Sequence, residues 1–215
     1  MKYFILMSDI IGSGQKNQTS LMVDFKKTVA KINNDYKNSL PSPLTITLGD
    51  EFQGLVSNLE TGLDIILELE EEIIRQGYDF QLRYVLLYGD IETKINKEIA
   101  YEMLGDGLRD ARYTLNSMKS NSQRFYIQIG NTDLDSILNN TFLILENIID
   151  KWNPEKDYEL IEAFITFKDY KIVADQVKKT RSQIWKREKT LNISSYEATK
   201  AILRTISKLP YAPRL

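Results

Sequence analysis

The sequence of 215 residues contains no cysteine and no histidine. Without cysteine, the chain has no disulfide, no thiolate nucleophile and no structural zinc site of the usual kind. Without histidine, it lacks the commonest general base and the commonest ligand for softer metals. Any bound metal would therefore be a hard cation held by oxygen atoms, which favours Mg²⁺ or Mn²⁺.

The chain also lacks a long apolar run, since no stretch reaches the roughly eighteen residues that suggest a membrane-spanning helix. Its first residues meet Asp9 too early for the apolar core of a signal peptide. Hydrophobic residues make up 42% of the chain and charged residues 27%, which is typical of a folded globular protein. These features predict a cytoplasmic protein with no membrane partner, large enough for one substantial core and a smaller second domain.

Negative charge is scarce near the C-terminus. The formal net charge is −2, but residues 171–215 contain 11 basic and 3 acidic residues, so that segment carries +8 and residues 1–170 carry −10. The C-terminal segment is therefore suited to approach a polyanion, whereas the rest of the chain would repel one.

Residues 1–88 alternate between strand and helix patterns. An apolar run at 3–7 ends near Asp9, and the pair Gly49-Asp50 lies between two short apolar runs, as in a β-hairpin. The order strand, helix, strand, strand, helix, strand predicts an α+β, ferredoxin-like domain, with an antiparallel sheet and helices on one face. The fourth strand of residues 1–88 is expected at 80–88, and a further strand at 124–129.

That topology places the end of the first strand beside the tip of the hairpin. We therefore predict that Asp9 and Asp50 face each other and hold a divalent metal. The turn formed by Gly12, Ser13 and Gly14 leads into a helix, where backbone N–H groups and the helix dipole favour phosphate. Taken singly, each aspartate is also explained as an ordinary turn residue, and the sequence does not decide whether Glu51 is a further ligand or merely exposed.

Three segments carry a resemblance to known families. MSDIIGSG (residues 7–14) and TLGDEF (residues 47–52) resemble the two metal motifs of class III adenylyl and guanylyl cyclases, and LGDEF also resembles the GGDEF signature of diguanylate cyclases. YEMLGDGLRDARYTLNSM (residues 101–118) is similar to a late cyclase segment. The cyclase resemblance covers residues 1–130 and implies a palm-like fold, while the whole chain is similar to the SatD family of bacterial proteins.

The cyclase resemblance implies roles for individual residues. Asp9, Asp50 and the carbonyl of Ile10 match the ligands of Mg²⁺ or Mn²⁺, and Glu102 matches the acid that reads the purine. Ile46 replaces the base-reading lysine. Arg109 and Arg112 could form a rearranged phosphate clamp, or could belong to a solvated helix face. Because class III sites form between two subunits, a homodimer is also implied.

From residue 133 onward the pattern is helical. A helix over 133–152 ends before Asn153-Pro154, where we place the boundary between a domain of residues 1–152 and a domain of residues 153–215. Helices at 158–167, 170–177 and 181–191 then resemble a bacterial helix-turn-helix, with Lys178 in place of the usual glycine of the turn.

If the third of these helices enters the major groove, seven side chains are positioned to contact DNA. They are Lys178, Lys179, Arg181, Ser182, Gln183, Lys186 and Arg187. The alternative is a three-helix packing module with a solvated basic face, or a surface for a protein partner.

The leading hypothesis is a regulator in which a nucleoside triphosphate, bound with Mg²⁺, biases the DNA affinity of the C-terminal segment. A second hypothesis is an active metal-dependent nucleotidyl cyclase or another phosphoryl-transfer enzyme. A third is a scaffold that keeps the fold and binds only protein partners.

Overall fold

The computed structural model describes residues 1–15, 18–121 and 123–210. Five strands form one sheet in the order β2-β3-β1-β4-β5. β1 lies antiparallel between β3 and β4, while β5 runs parallel to β4 at the edge. The first four strands therefore have the predicted ferredoxin-like order. The strands are β1 (Lys2–Ile10), β2 (Ser42–Ile46), β3 (Glu51–Val56), β4 (Leu82–Asp90) and β5 (Phe125–Gln128).

Eight α-helices occur in the described residues, and none of them is long and apolar enough to cross a membrane. Short 3₁₀ segments also follow β1 and α1, at Ser13–Gln15 and Lys37–Ser39. The helices are α1 (Gln18–Asp35), α2 (Leu59–Arg75), α3 (Asp106–Met118), α4 (Thr132–Ile149), α5 (Pro154–Phe167), α6 (Tyr170–Gln176), α7 (Arg181–Thr190) and α8 (Ile193–Ile206).

Helices cover both faces of the sheet. Alternate β1 residues such as Leu6 join Phe25 of α1 in one buried cluster, while Met7 joins Ala111 of α3 in a second cluster on the other face. The prediction of helices on one face thus holds for α1 and α2, but α3 covers the opposite face. A Cβ atom on Gly107 would lie 2.7 Å from the backbone of Gly89, so glycine permits this close approach of α3 to β4.

The C-terminal helices share the first cluster with the sheet and α2. Leu160 of α5 and Leu203 of α8 are buried in it together with Leu6. The indole Nε1 of Trp152 donates a hydrogen bond of 2.9 Å to the carbonyl oxygen of Leu191. The apolar core is therefore continuous across residue 152, where we had placed a domain boundary, and the boundary itself stays a prediction.

Three consecutive acidic residues of α2 are buried, and each has a cationic partner. Glu70 accepts two hydrogen bonds of 2.7 Å from Arg124, which precedes β5. Glu71 pairs with Lys200 of α8, and Glu72 lies 2.6 Å from Arg75. Buried charges are tolerated when they are paired and hydrogen-bonded. The pairs of Glu70 and Glu71 tie α2 to the segment before β5 and to α8, whereas the pair of Glu72 with Arg75 lies within α2.

The helices α5, α6 and α7 lie within a few residues of the three predicted C-terminal helices. Lys178, in the turn between α6 and α7, has a φ of +53°, the left-handed conformation for which glycine is usual. Thr180 and Gln183 form a capping box at the start of α7, and Ile184 is the residue through which α7 enters the core. The arrangement of these helices as a DNA-binding helix-turn-helix stays a prediction.

Candidate functional site

The end of β1 meets the hairpin that joins β2 and β3. The backbone N–H of Ile10 donates a 2.9 Å hydrogen bond to the carbonyl oxygen of Asp50, and Thr47 N–H closes the turn on the Glu51 carbonyl at 2.9 Å. Gly49 has a φ of +92°, which its lack of a side chain allows. The predicted juxtaposition of strand end and hairpin tip is confirmed.

Asp50 contacts the glycine-containing turn that follows β1. Its Oδ2 accepts a 2.6 Å hydrogen bond from the Ser13 hydroxyl. The two side chains line a cavity of about 250 Å³ together with the start of α1. Gly12 and Gly14 flank Ser13 in the chain, so the predicted phosphate-binding turn and Asp50 lie at one place. The other lining residues are Leu21, Met22, Leu48 and Gly49.

Asp9 points to the opposite side of the sheet. Both of its carboxylate oxygens accept hydrogen bonds from Arg83 of β4, at 2.8 and 2.9 Å, and the ammonium of Lys119 lies 3.3 Å from Oδ2. Burial raises the pKa of Asp9 above its usual range, against the lowering effects of Arg83 and Lys119. Asp9 therefore contacts the α3 side, whereas Asp50 contacts the turn before α1.

Glu51 is a buried member of the Asp9 group. It accepts hydrogen bonds of 2.9 Å from Arg112 and 3.1 Å from Lys119, and Arg112 also donates to the side-chain oxygen of Gln53 at 2.8 Å. The sequence left open whether Glu51 is a further metal ligand or an exposed residue. Its burial excludes the second alternative. We call Asp9, Glu51, Arg83, Arg112 and Lys119 the charged cluster.

Sequence reasoning missed Arg83, Lys119 and the burial of Glu51. One signal was available, because Arg83 is the single charged residue in the otherwise apolar run at 82–88. A lone charge on a buried strand requires a partner. Lys119 carries no such signal, since a lysine directly after the last residue of a predicted helix is equally typical of a solvated side chain.

The residues assigned to base and phosphate binding are dispersed. Glu102 is exposed and lines a cavity of about 540 Å³ with Lys94 and Lys97. Arg109 is exposed and pairs with Asp106 at 2.9 Å. Arg109 and Arg112 both line a separate cavity of about 460 Å³ beside α3. None of these roles is tested by the geometry, and they stay predictions.

Two observations bear on a divalent metal. Among residues 1–15, 18–121 and 123–210, no group of three or more acidic side chains is arranged to hold a metal ion. Both oxygens of Asp9 already accept hydrogen bonds from Arg83, and the Lys119 ammonium lies 3.3 Å from Oδ2, so a metal at Asp9 would compete with two cations. Within the described part of the chain, the side chain of Asp50 accepts a hydrogen bond from the neutral Ser13 hydroxyl and lies on a cavity wall, so its oxygens suit a hard cation.

The predicted DNA-binding residues differ in how they are held. Ser182, Lys186 and most of α7 are exposed. Arg187 instead donates a hydrogen bond to the nearly buried Asp157 of α5, and Gln183 is engaged in the capping box. Arg181 lies 3.7 Å from Asp175 in an exposed pair.

Lys179, Lys186 and Arg187 line a surface cavity of about 480 Å³ between α5 and α7, and Lys178 is in the turn beside it. The basic side chains thus lie near one another, although Arg187 is committed to a contact within the chain.

Solved structures with a similar arrangement include three nucleotide cyclases. A bacterial light-regulated adenylyl cyclase has 13% identity and a TM-score of 0.42, with 59% of this chain and 74% of that chain covered. The catalytic core of a rhodopsin-guanylyl cyclase with converted specificity, in complex with ATPalphaS, has 17% identity and a TM-score of 0.43, covering 59% and 78%. The adenylyl cyclase CyaB from P. aeruginosa has 14% identity and a TM-score of 0.40, covering 54% and 71%.

Sequence comparison gives the family. No curated protein sequence matches the chain. The model of the SatD family matches residues 3–206, which is nearly the whole chain and includes both the sheet and the C-terminal helices. The chain therefore belongs to the SatD family.

Proposed function

We propose that this protein is a regulator that binds a nucleoside triphosphate with Mg²⁺ at the Ser13–Asp50 cavity and DNA through α7. The observation that carries the nucleotide half is the hydrogen bond between Ser13 and Asp50, because it joins the glycine-containing turn to the hairpin tip around a cavity. A turn of this kind presents backbone N–H groups to phosphate.

The chemistry of Asp50 suits a metal that arrives with phosphate. Proteins commonly hold Mg²⁺ through one or two carboxylates together with substrate phosphates, leaving the other positions to water. The cavity of about 250 Å³ is smaller than the roughly 300–1,000 Å³ of sites that enclose a whole ligand. It suits the phosphates, so the base and the sugar would lie outside it.

Glu102 and Arg112 take no part in this nucleotide binding. Glu102 lines a different cavity, and Arg112 is held by Glu51 and Gln53. A catalysed cyclisation needs groups that stabilise the charge developing at the phosphate. Since Arg112 is already engaged, the protein binds the nucleotide without cyclising it.

Isothermal titration with ATP and with GTP, each with Mg²⁺, tests the nucleotide half. Binding is expected in the native chain, and Asp50→Asn and Ser13→Ala are each expected to weaken it at least about tenfold, because each removes a charged or hydrogen-bonding group at the site. Asp110→Asn, an exposed aspartate of α3, is the matched control. No binding, or equal binding in Asp50→Asn, would refute this half, and a cyclic product in the same samples would favour the enzyme hypothesis.

The DNA half is supported by the exposure and charge of α7. Its ten residues carry four basic side chains and one acidic one, and Ile184 alone among them is buried. A basic, exposed helix next to a tight turn suits contact with a phosphate backbone. Arg187 makes no contact with DNA in this arrangement, because its guanidinium donates a hydrogen bond to Asp157.

Fluorescence anisotropy with labelled duplex DNA over a range of salt concentrations tests the DNA half. Arg181→Glu with Lys186→Glu is expected to weaken binding and to lower the salt slope by about 2, since each lost phosphate contact removes about 0.9. The control is Lys26→Glu with Lys37→Glu. Both lysines are exposed, one in α1 and one just after it, so this double variant makes the same charge change away from α7. Equal binding by the two double variants would rule out α7 as the docking helix.

A further inference from the structure

The charged cluster contains two carboxylates that lie side by side in the sheet. Asp9 is directly opposite Glu51 in the pairing of β1 with β3, and residues directly opposite project from the same face. Asp9 is 3% exposed and Glu51 is 5% exposed. Two neighbouring buried carboxylates repel each other and have lost their hydration, so they require positive charge close by.

The ammonium of Lys119 lies between these two carboxylates. Its Nζ is 3.3 Å from Oδ2 of Asp9 and 3.1 Å from Oε1 of Glu51. The remaining carboxylate contacts are made by Arg83, on Asp9, and by Arg112, on Oε2 of Glu51 at 2.9 Å. Among the residues that the structure describes, three cationic side chains thus face two carboxylates, an excess of one positive charge.

The position of Lys119 is set by α3. Lys119 follows the last residue of that helix, Met118, and lies seven residues after Arg112, which is about two helical turns, so both side chains project towards the sheet. A positive charge after the last turn is also favourable to the helix dipole. Burial by itself lowers the pKa of Lys119, but its hydrogen bond to Glu51 and the charges of both acids outweigh burial and raise the pKa.

We propose that the Lys119 ammonium occupies the cation position between Asp9 and Glu51, so that this pair takes no divalent metal while α3 is packed on the sheet. A metal ion at the same place would lie within a few Å of the ammonium and be repelled by it. Mg²⁺ also requires ligand oxygens at about 2.1 Å in a regular octahedron. The motif aspartate Asp9 thereby holds α3 on the sheet. This assignment does not depend on whether nucleotide binds at Asp50.

A titration of the full chain with Mn²⁺ alone tests the proposal. The electron paramagnetic resonance signal of the free ion measures how much Mn²⁺ stays unbound. Asp50→Asn serves as the background, so that the carboxylate to which the proposed function assigns the metal does not contribute. In that background no Mn²⁺ is expected at the Asp9–Glu51 pair. Adding Lys119→Met is expected to tighten Mn²⁺ binding at least about tenfold, because it removes the competing charge.

Two further variants make the result specific. Lys97→Met removes an exposed lysine elsewhere and is expected to leave Mn²⁺ binding unchanged. Glu51→Gln added to Lys119→Met is expected to abolish the gain. A folded Lys119→Met protein with no gain would overturn the proposal.

The Asp50→Asn protein, in which Lys119 is unchanged, provides a second test. This test stands even if Lys119→Met does not fold. If this protein binds Mn²⁺ and loses that binding when Glu51→Gln is added, the ammonium does not exclude the metal and the proposal is overturned. Thermal midpoints that Mn²⁺ leaves unchanged, with and without Glu51→Gln, would support it.

Discussion

Arg83 donates hydrogen bonds to both carboxylate oxygens of Asp9, at 2.8 and 2.9 Å, in a buried pair that joins the middle strand β1 to its neighbour β4. Removing one member of such a pair leaves the other charge buried without its main partner, which costs more than the pair itself contributes. The pair is therefore a sensitive point of the fold, and its loss can be measured directly.

Arg83→Met is expected to lower the free energy of unfolding by about 3 kcal/mol, because Asp9 remains buried and loses its closest cation. Adding Asp9→Leu is expected to restore part of that loss. Chemical denaturation measures both changes. The control is Arg109→Met, whose exposed pair with Asp106 is expected to contribute less than about 1 kcal/mol; an equal loss in both single variants would contradict the prediction.

Lys200→Met is expected to destabilise the whole chain, again by about 3 kcal/mol, because the buried Glu71 loses its closest cation and keeps only Arg75, at 3.8 Å. Since the core is continuous from the sheet to α8, unfolding is expected as one transition with the same midpoint by tryptophan fluorescence and by circular dichroism. The control, Lys208→Met, removes an exposed lysine 3.5 Å from Glu60. Two separate transitions would instead show that residues 153–215 form an independent domain.

Acid is expected to weaken the packing of α8 through Glu197. Burial raises the pKa of Glu197, but hydrogen bonds and charges from Lys168 and Lys200 outweigh it, so the pKa is lowered from its ordinary 4.5. A lowered carboxyl pKa contributes stability that is full above the ordinary pKa and is lost as the pH falls through the lowered one.

Glu197→Gln is accordingly expected to cost about 0.5–1 kcal/mol at neutral pH, and progressively less as the pH falls through the lowered pKa of Glu197, where the native carboxyl also becomes uncharged. Urea denaturation of both proteins across this range measures the difference. A difference that stays constant with pH would show that the ion pairs of Glu197 contribute nothing to stability.

Local patterns in the sequence predicted the elements that form the fold. The apolar runs around Gly49-Asp50 form β2 and β3, and the helical periodicities became α1, α2, α4 and the three helices up to α7. The strand expected at 80–88 is β4, shifted by two residues to Leu82–Asp90. Phe80 is buried before the strand begins, and burial alone cannot distinguish a strand residue from a loop residue that packs on the core.

Contacts between distant elements could not be predicted in the same way. The apolar stripe of α3 fits either face of a sheet, so nothing in its periodicity showed that it covers the face opposite α1. The contact of Lys119 with Glu51 joins residues 68 positions apart. The motif around Asp9 correctly located a meeting point of strand and hairpin, but its residue types could not show that Arg83 neutralises the aspartate.

The three consecutive glutamates of α2 have one more consequence. Successive helical residues project about 100° apart, so three buried acids in a row span about 200° and require neighbours around more than half of the helix circumference. Glu70 reaches Tyr84 in the sheet, Glu71 reaches Lys200 in α8, and Glu72 lies 3.6 Å from Lys31 in α1. A rotation or shift of α2 would therefore break all three contacts at once. The sheet, α1 and α8 consequently all depend for these contacts on the position of this one helix.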